Sequence, residues 1–133
     1  IYTLSLHDAL PISSWLKMKT DIGKIAEAKA VSYLQRKNFH ILCRNYRCKF
    51  GEIDIIAKSG ETTVFAEVKS RSVNSLGLPC EAVDKRKQFK IRKTAGYYIC
   101  EKKVCNQNFR FDVVELIKKE NEWYIRHIEN AFM

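Results

Sequence analysis

Glu52, Asp54, Glu67 and Lys69 are the residues of this chain whose types and spacing could do chemistry together. Residues two apart in an extended strand share a face. In Gly51-Glu52-Ile53-Asp54, the two acids therefore point one way, with Ile53 and Ile55 on the other side. In Glu67-Val68-Lys69, Glu67 shares its face with Lys69 and Phe65, and Val68 packs opposite. Both stretches read as strands, 52–58 and 62–70, and Ser59-Gly60-Glu61 between them is a compact hairpin signal. The acids of the two strands can thus converge on one patch. Converging carboxylates supply the oxygen shell of a hard divalent cation, Mg²⁺ in the first instance and Mn²⁺ as a substitute. A lysine beside them can orient or help deprotonate an attacking water, or stabilise charge on a phosphate. The chemistry implied is hydrolysis of a phosphodiester. The same spacing also describes a solvated sheet face with cross-strand ion pairs, and spacing alone leaves both readings open.

The elements that must position these residues follow from periodicity. Residues 21–38 read as a helix, with Ile22, Ala26, Ala30, Tyr33, Leu34 and Lys37 in helical rhythm and Asp21 placed to cap the start. Residues 39–46 are rich in β-formers, and a turn follows around Lys49-Phe50-Gly51. Residues 71–83 read as a loop carrying Gly77 and Pro79. A second helix over 84–101 puts Gln88, Ile91, Ala95, Tyr98 and Ile99 in one arc, with Arg86, Lys90 and Lys93 opposite. Lys87 borders the apolar arc, so it can lean toward the sheet. Residues 109–117 and 123–128 are the last strands, joined by a polar turn. The order α-β-β-β-α-β-β predicts an α/β fold, a mixed sheet with a helix on each side.

Composition bounds the partners. The chain has 133 residues, a length that fits one domain, and a net charge of +9. Its 46% hydrophobic content argues against disorder, and no stretch approaches the roughly 18 apolar residues of a membrane span. The charge points to a polyanion, nucleic acid before membrane. It concentrates in Lys85-Arg86-Lys87-Gln88-Phe89-Lys90-Ile91-Arg92-Lys93, with six basic residues in nine, a natural phosphate-facing surface. The five cysteines are odd in number and include no Cys-x-x-Cys, which points to reduced, mostly buried thiols and a cytoplasmic setting. Residues 1–17 carry only Asp8 and Lys17 as charges and lack the basic start of a secretory signal. They read as a non-native or disordered segment ahead of a natural start near Met18, leaving 18–133 as the domain.

From Gly23 onward the chain resembles the YraN family of small bacterial proteins, placed in the PD-(D/E)xK nuclease superfamily. The resemblance is carried by Gly23-x-x-Ala26-Glu27-x-x-Ala30, Arg44-Asn45-Tyr46-Arg47, Gly51-Glu52-Ile53-Asp54-Ile55-Ile56 and Phe65-x-Glu67-Val68-Lys69-x-Arg71. Ala82-Val83, Lys87, Ala95, Tyr98, Arg110-Phe111-Asp112-Val113-Val114 and Asn130-Ala131-Phe132 extend it. Ala26 stands where the family usually has glycine. The resemblance implies a restriction-endonuclease-like αβββαβ core similar to Holliday-junction resolvases. It implies Asp54 and Glu67 as metal-binding acids; Glu52, by its spacing from Asp54, is a further candidate ligand. Lys69 would be the catalytic lysine and Glu27 the accessory acid from the first helix. Lys87, Lys90, Arg71 and Arg44 are the candidate substrate-binding bases.

The expectation is a Mg²⁺-dependent DNA endonuclease, on branched or single-stranded DNA, without a membrane partner and with a homodimer left open. The rival is a non-catalytic nucleic-acid-binding accessory protein that keeps the fold. The three histidines read as structural, Asp112 reads either as a buried hydrogen-bonded acid or as a group supporting the site, and Trp123 and Tyr124 read as core before they read as base-stacking groups.

Overall fold

The computed structural model describes residues 12–72, 83–104 and 107–133, the side chains of 12–20, 22 and 72 aside. Helix α1 (Ile12–Arg36) is followed by strands β1 (His40–Cys48), β2 (Gly51–Ser59) and β3 (Thr62–Ser72). Helix α2 (Lys85–Glu101) then leads to β4 (Asn108–Lys119) and β5 (Glu122–Phe132). The expected order is borne out. The sheet has five strands in the order β1-β2-β3-β4-β5. All neighbours are antiparallel except β3 and β4, which run parallel. A parallel pair cannot be closed by a hairpin, and α2 lies within the crossover that joins them.

Each face of the sheet has its own core. Ala26, Ala30 and Leu34 of α1 pack on Ile55, Ala57, Val64, Ala66, Val114 and Leu116. Ile91, Ala95 and Tyr98 of α2 pack on Ile53, Ile56, Phe65 and Val113 on the other side. Burying this apolar surface is the main favourable contribution to the fold. Gly51 brings α2 close: a Cβ on it would lie 3.2 Å from Thr94 Oγ1. Asp84 caps α2, its carboxylate accepting from the Lys87 amide at 2.8 Å. The 59–62 hairpin closes with Gly60 at φ 60, a positive value that glycine adopts without steric cost.

Helix α1 begins upstream of the expected residue 21, so Asp21 lies inside it and does not cap it. Ile12–Thr20 contains neither Gly nor Pro to stop a helix. Its other end is closed by Asn38 at φ 67. The Phe39 amide reaches back to the Leu34 carbonyl at 2.9 Å, with Phe39 and Leu34 in one core, as a left-handed helix terminus requires. Cys43 and Cys48 are only half-buried and Cys100 is exposed, contrary to the expectation of mostly buried thiols. Cys80, Cys105, most of the 71–83 loop with Gly77 and Pro79, and residues 1–11 lie outside the described residues. Tyr124 is exposed and donates to Glu122, whereas Trp123 packs on the α1-side core. Tyr124 is therefore a surface residue, because it falls on the solvent side of the edge strand β5.

Asp112, fully buried, is the knot between β4 and β5. It accepts from Arg110 Nε at 2.8 Å and Nη2 at 2.9 Å, from His127 Nε2 at 2.7 Å and from the Asn130 amide at 2.9 Å. Burial alone would push its pKa up, but the hydrogen bonds from His127 and Arg110 outweigh that and hold it below the usual carboxylate range. An ionised carboxylate only accepts, so the His127 Nε2 carries the proton and Nδ1 faces the Tyr33 hydroxyl at 3.4 Å. The Asp112 and His127 readings as structural groups are thereby accounted for. Replacing Asp112 with Ala strands Arg110 and His127, and should cost about 3–5 kcal/mol of unfolding free energy in a urea titration. A loss under about 1 kcal/mol would show that the knot is not what joins these strands.

Candidate active site

The site grows out of the place where β2 and β3 part. Their pairing runs from Ser59↔Thr62 to Ile55↔Ala66 and is not continued beyond. The next amide of β3 in need of a partner, that of Val68, donates to Asp54 Oδ2 at 2.8 Å. A side-chain carboxylate has taken the place of a ladder carbonyl. Because the strand alternation puts Val68 toward α1, Glu67 turns toward α2, where Lys87 Nζ lies 3.5 Å from its Oε1.

Asp54 and Glu67 are close enough that each shifts the other's pKa. Burial, and then the charge of Asp54, push Glu67 up from 4.5 to about 7, against the pull of Lys87. Burial also raises Asp54, reinforced by Glu52 and opposed by the Val68 amide. Both carboxyls are thus raised, and the two titrate as a pair. Two buried carboxyls side by side hold a proton more tightly than free acids do, and a divalent cation taking its place would meet their negative charge. The donor set fits a hard ion. Among the described residues no three acid, His or Cys side chains gather round one point, but Mg²⁺ keeps several waters and is often held by one or two carboxylates.

The other expected residues divide. Glu52 is paired with Arg47 at 2.8 Å, and Glu27 with Arg44 Nε at 3.0 Å and Asn45 Nδ2 at 2.9 Å. Glu27, Glu52, Asp54 and Val68 nonetheless line one depression of about 370 Å³, which Glu27 thus shares with Asp54. Arg44 is held by Glu27, and Arg71 by Glu115 at 2.9 Å. Lys87 is brought to the acids, while Lys90 is exposed on α2 further round the helix. Lys69 is half-buried and stands opposite Glu115 in the β3–β4 register.

The expected two-residue alternation fails at one point. Ile53 packs on the α2 side and Ile55 on the α1 side, although both were expected on one face. Asn45 in the paired strand has φ 52, a left-handed turn within β1 that lets Arg44 and Asn45 both reach Glu27. Glu115 is the residue that sequence reasoning missed. It is fully buried, and its Oε1 has no hydrogen-bond partner among the described residues. The signal was a lone acid in Val113-Val114-Glu115-Leu116-Ile117, since an acid within an apolar strand is rarely buried unpaired.

Comparison with known proteins places this geometry in context. Residues 26–116 match the model of the uncharacterised protein family UPF0102. A UPF0102 protein of Clostridium acetobutylicum is 48% identical over 118 residues, covering 87% of this chain and 97% of the relative. One of Alkaliphilus oremlandii is 45% identical over 117 residues, 86% of this chain and 100% of the relative. One of Clostridium tetani is 49% identical over 113 residues, 84% of this chain and 93% of the relative.

The raised Glu67 pKa has a consequence for stability. A folded pKa above the unfolded one favours folding at low pH, and that contribution is lost as pH rises from 4.5 through about 7. Glu67→Gln should therefore gain on the parent between those limits, by an amount on the order of 3 kcal/mol by pH 8. Thermal melts across pH, with and without Mg²⁺, check it: Mg²⁺ should raise the parent's Tm above neutral pH and leave Glu67→Gln unmoved. A gap independent of pH would show that Glu67 is not the titrating group.

Proposed function

The chain belongs to the family UPF0102, and from that premise we propose that it is a metal-dependent endonuclease acting on the phosphodiester bonds of DNA. The observation that carries this reading is the buried pair Asp54–Glu67, anchored by the Val68 amide on Asp54 and with the Lys87 ammonium 3.5 Å from Glu67. Asp54 and Glu67 would hold Mg²⁺, with Mn²⁺ as substitute. When bound, such an ion polarises a phosphoryl oxygen and lowers the pKa of a water.

The chain's own residues do the rest. Glu67 gives up its proton on loading, which makes loading favourable above neutral pH. The Val68 amide holds Asp54 in place through Oδ2. Lys69, one residue beyond Val68 on the Glu67 face, would orient the attacking water. Lys87 is exposed enough to leave Glu67 and take a phosphate oxygen. Glu27, fixed by Arg44 and Asn45, adds negative charge at the rim of the depression. The proposed setting is the cytoplasm, where free thiols such as Cys43, Cys48 and Cys100 stay reduced. No helix among the described residues is long and apolar enough to cross a membrane.

The rival is a binding protein that does not cleave. The ion pairs of Glu52 with Arg47 and Glu27 with Arg44 favour it, since acids so paired also serve structure alone. A cleavage assay with Mg²⁺ and Mn²⁺ on linear, flapped and four-way DNA decides between them. Glu67→Ala and Lys69→Ala should each lower the rate at least about 100-fold. Salt-sensitive binding with no cleavage in any divalent ion would leave the binding protein, and variants that fold and cut like the parent would overturn the assignment.

A further inference from the structure

The outer face of α2 carries a surface that the acid pair does not use. Phe89 is 56% exposed, Tyr97 40%, and Phe50, in the turn between β1 and β2, 39%. Exposed apolar groups are ordinary when scattered, but a contiguous cluster marks a surface with a partner. These rings are contiguous. Phe50 and Tyr97 meet edge to face with centroids 6.2 Å apart. Phe50, Phe89 and Tyr97 line one open trough of about 530 Å³, and none of its lining residues is acidic.

Cations stand over the rings. Lys93 Nζ is 5.4 Å from the Phe89 centroid and 6.0 Å from that of Phe50, and Lys49 Nζ is 5.2 Å from Phe50. Arg92 also lines the trough but donates to the Met133 carbonyl at 2.7 Å. The only acid between Lys85 and Lys103 is Glu101, and it accepts from the Tyr46 hydroxyl at 2.9 Å. The basic residues form a path. At about 100° per residue, Lys87, Lys90 and Lys93 step round α2 from the sheet to the trough. Lys87 is at Glu67, the Lys90 Cβ is 3.7 Å from where a Cβ on Gly51 would sit, and Lys93 is over the rings.

We propose that this trough docks single-stranded nucleic acid, with bases stacked on Phe50, Phe89 and Tyr97 and phosphates carried along Lys93, Lys90 and Lys87. Delivery of that strand to Asp54 and Glu67 rests on the nuclease reading; the docking itself does not. Aromatic faces beside a row of cations match a chain that alternates π-faces with phosphates. A duplex hides its base faces in the stack, so the rings discriminate against it. The exposed cation–π contacts are weak, and Lys93 can swing off a ring to a phosphate when a base takes its place. A second copy of this chain is a poor occupant: a two-fold contact puts the same patch against itself, lysines facing lysines.

Fluorescence anisotropy with a labelled oligo-dT of about 15 nucleotides, and a duplex of the same length, tests this in EDTA, where cleavage cannot intervene. The parent should bind the single strand more tightly than the duplex. Phe89→Ala and Tyr97→Ala, both exposed and checked for folding by thermal melts, should each weaken it about 5- to 50-fold. Lys93→Ala should reduce the slope of log affinity against log salt by about 0.7. Aromatic variants that bind like the parent, or a parent that prefers the duplex, overturn the proposal. So does a parent that sediments as a dimer and a Phe89→Ala variant that sediments as a monomer, because a second copy then fills the trough. Trough-dependent binding without cleavage in Mg²⁺ or Mn²⁺ sinks the nuclease reading and upholds the trough. Cleavage that needs Glu67 but not Phe89 or Tyr97, with unchanged binding, does the reverse.

Discussion

The hydrogen bond from the Val68 amide to Asp54 Oδ2 is the constraint on which the rest of the site depends. A backbone amide inside a sheet has to find an acceptor, and strands that part at Ile55↔Ala66 leave this one without a carbonyl. Asp54 answers by turning its carboxylate across the gap. One bond thereby satisfies the amide, keeps the strands apart and fixes an acid in a buried position. Glu67, the preceding residue on β3, turns toward α2 and Lys87. Burial and the neighbouring Asp54 charge raise Glu67, and Lys87 stands beside it as a counter-charge.

Topology then decides what surrounds the pair. Parallel strands require a long connection between them, and the connection between β3 and β4 contains the basic helix. Its inner arc, Ile91, Ala95 and Tyr98, packs on the sheet, its edge brings Lys87 to Glu67, and its outer face leaves Phe89 and Tyr97 in solvent. The opposite helix contributes differently. Glu27 comes from α1, but Arg44 and Asn45 on β1 set its orientation, so two elements meet at one carboxylate. Away from the site, Asp112 ties β4 to β5 through His127 and the Asn130 amide, with Arg110 of its own strand completing its hydrogen bonds.

Much of this was legible in the sequence. The strand–hairpin–strand pattern around Ser59-Gly60-Glu61 brought Asp54 toward Glu67, and the helical arc of residues 84–101 assigned Lys87 to its edge. These are short-range properties: a period of two or of 3.6 residues, and a glycine at a turn. The facing of Ile53 and Ile55 was misread because alternation presumes a regular strand, whereas the pairing of β2 with β3 stops at Ile55 and leaves Asp54 beyond the ladder. The start of α1 was misread because nothing between Ile12 and Thr20 opposes a helix, while Asp21 resembled a cap.

The sequence by itself determined the element order, the two-layered covering of the sheet, the acid pair and the basic helix, since each rests on neighbours a few residues apart. Only the tertiary structure decided which charges meet. Glu115 is buried against Arg71, Arg44 is spent on Glu27, Arg47 on Glu52, and Phe50 joins Tyr97 from another element. Each of these contacts depends on where the chain returns in space, and a side chain's partner there is set by packing and register, which no local pattern encodes.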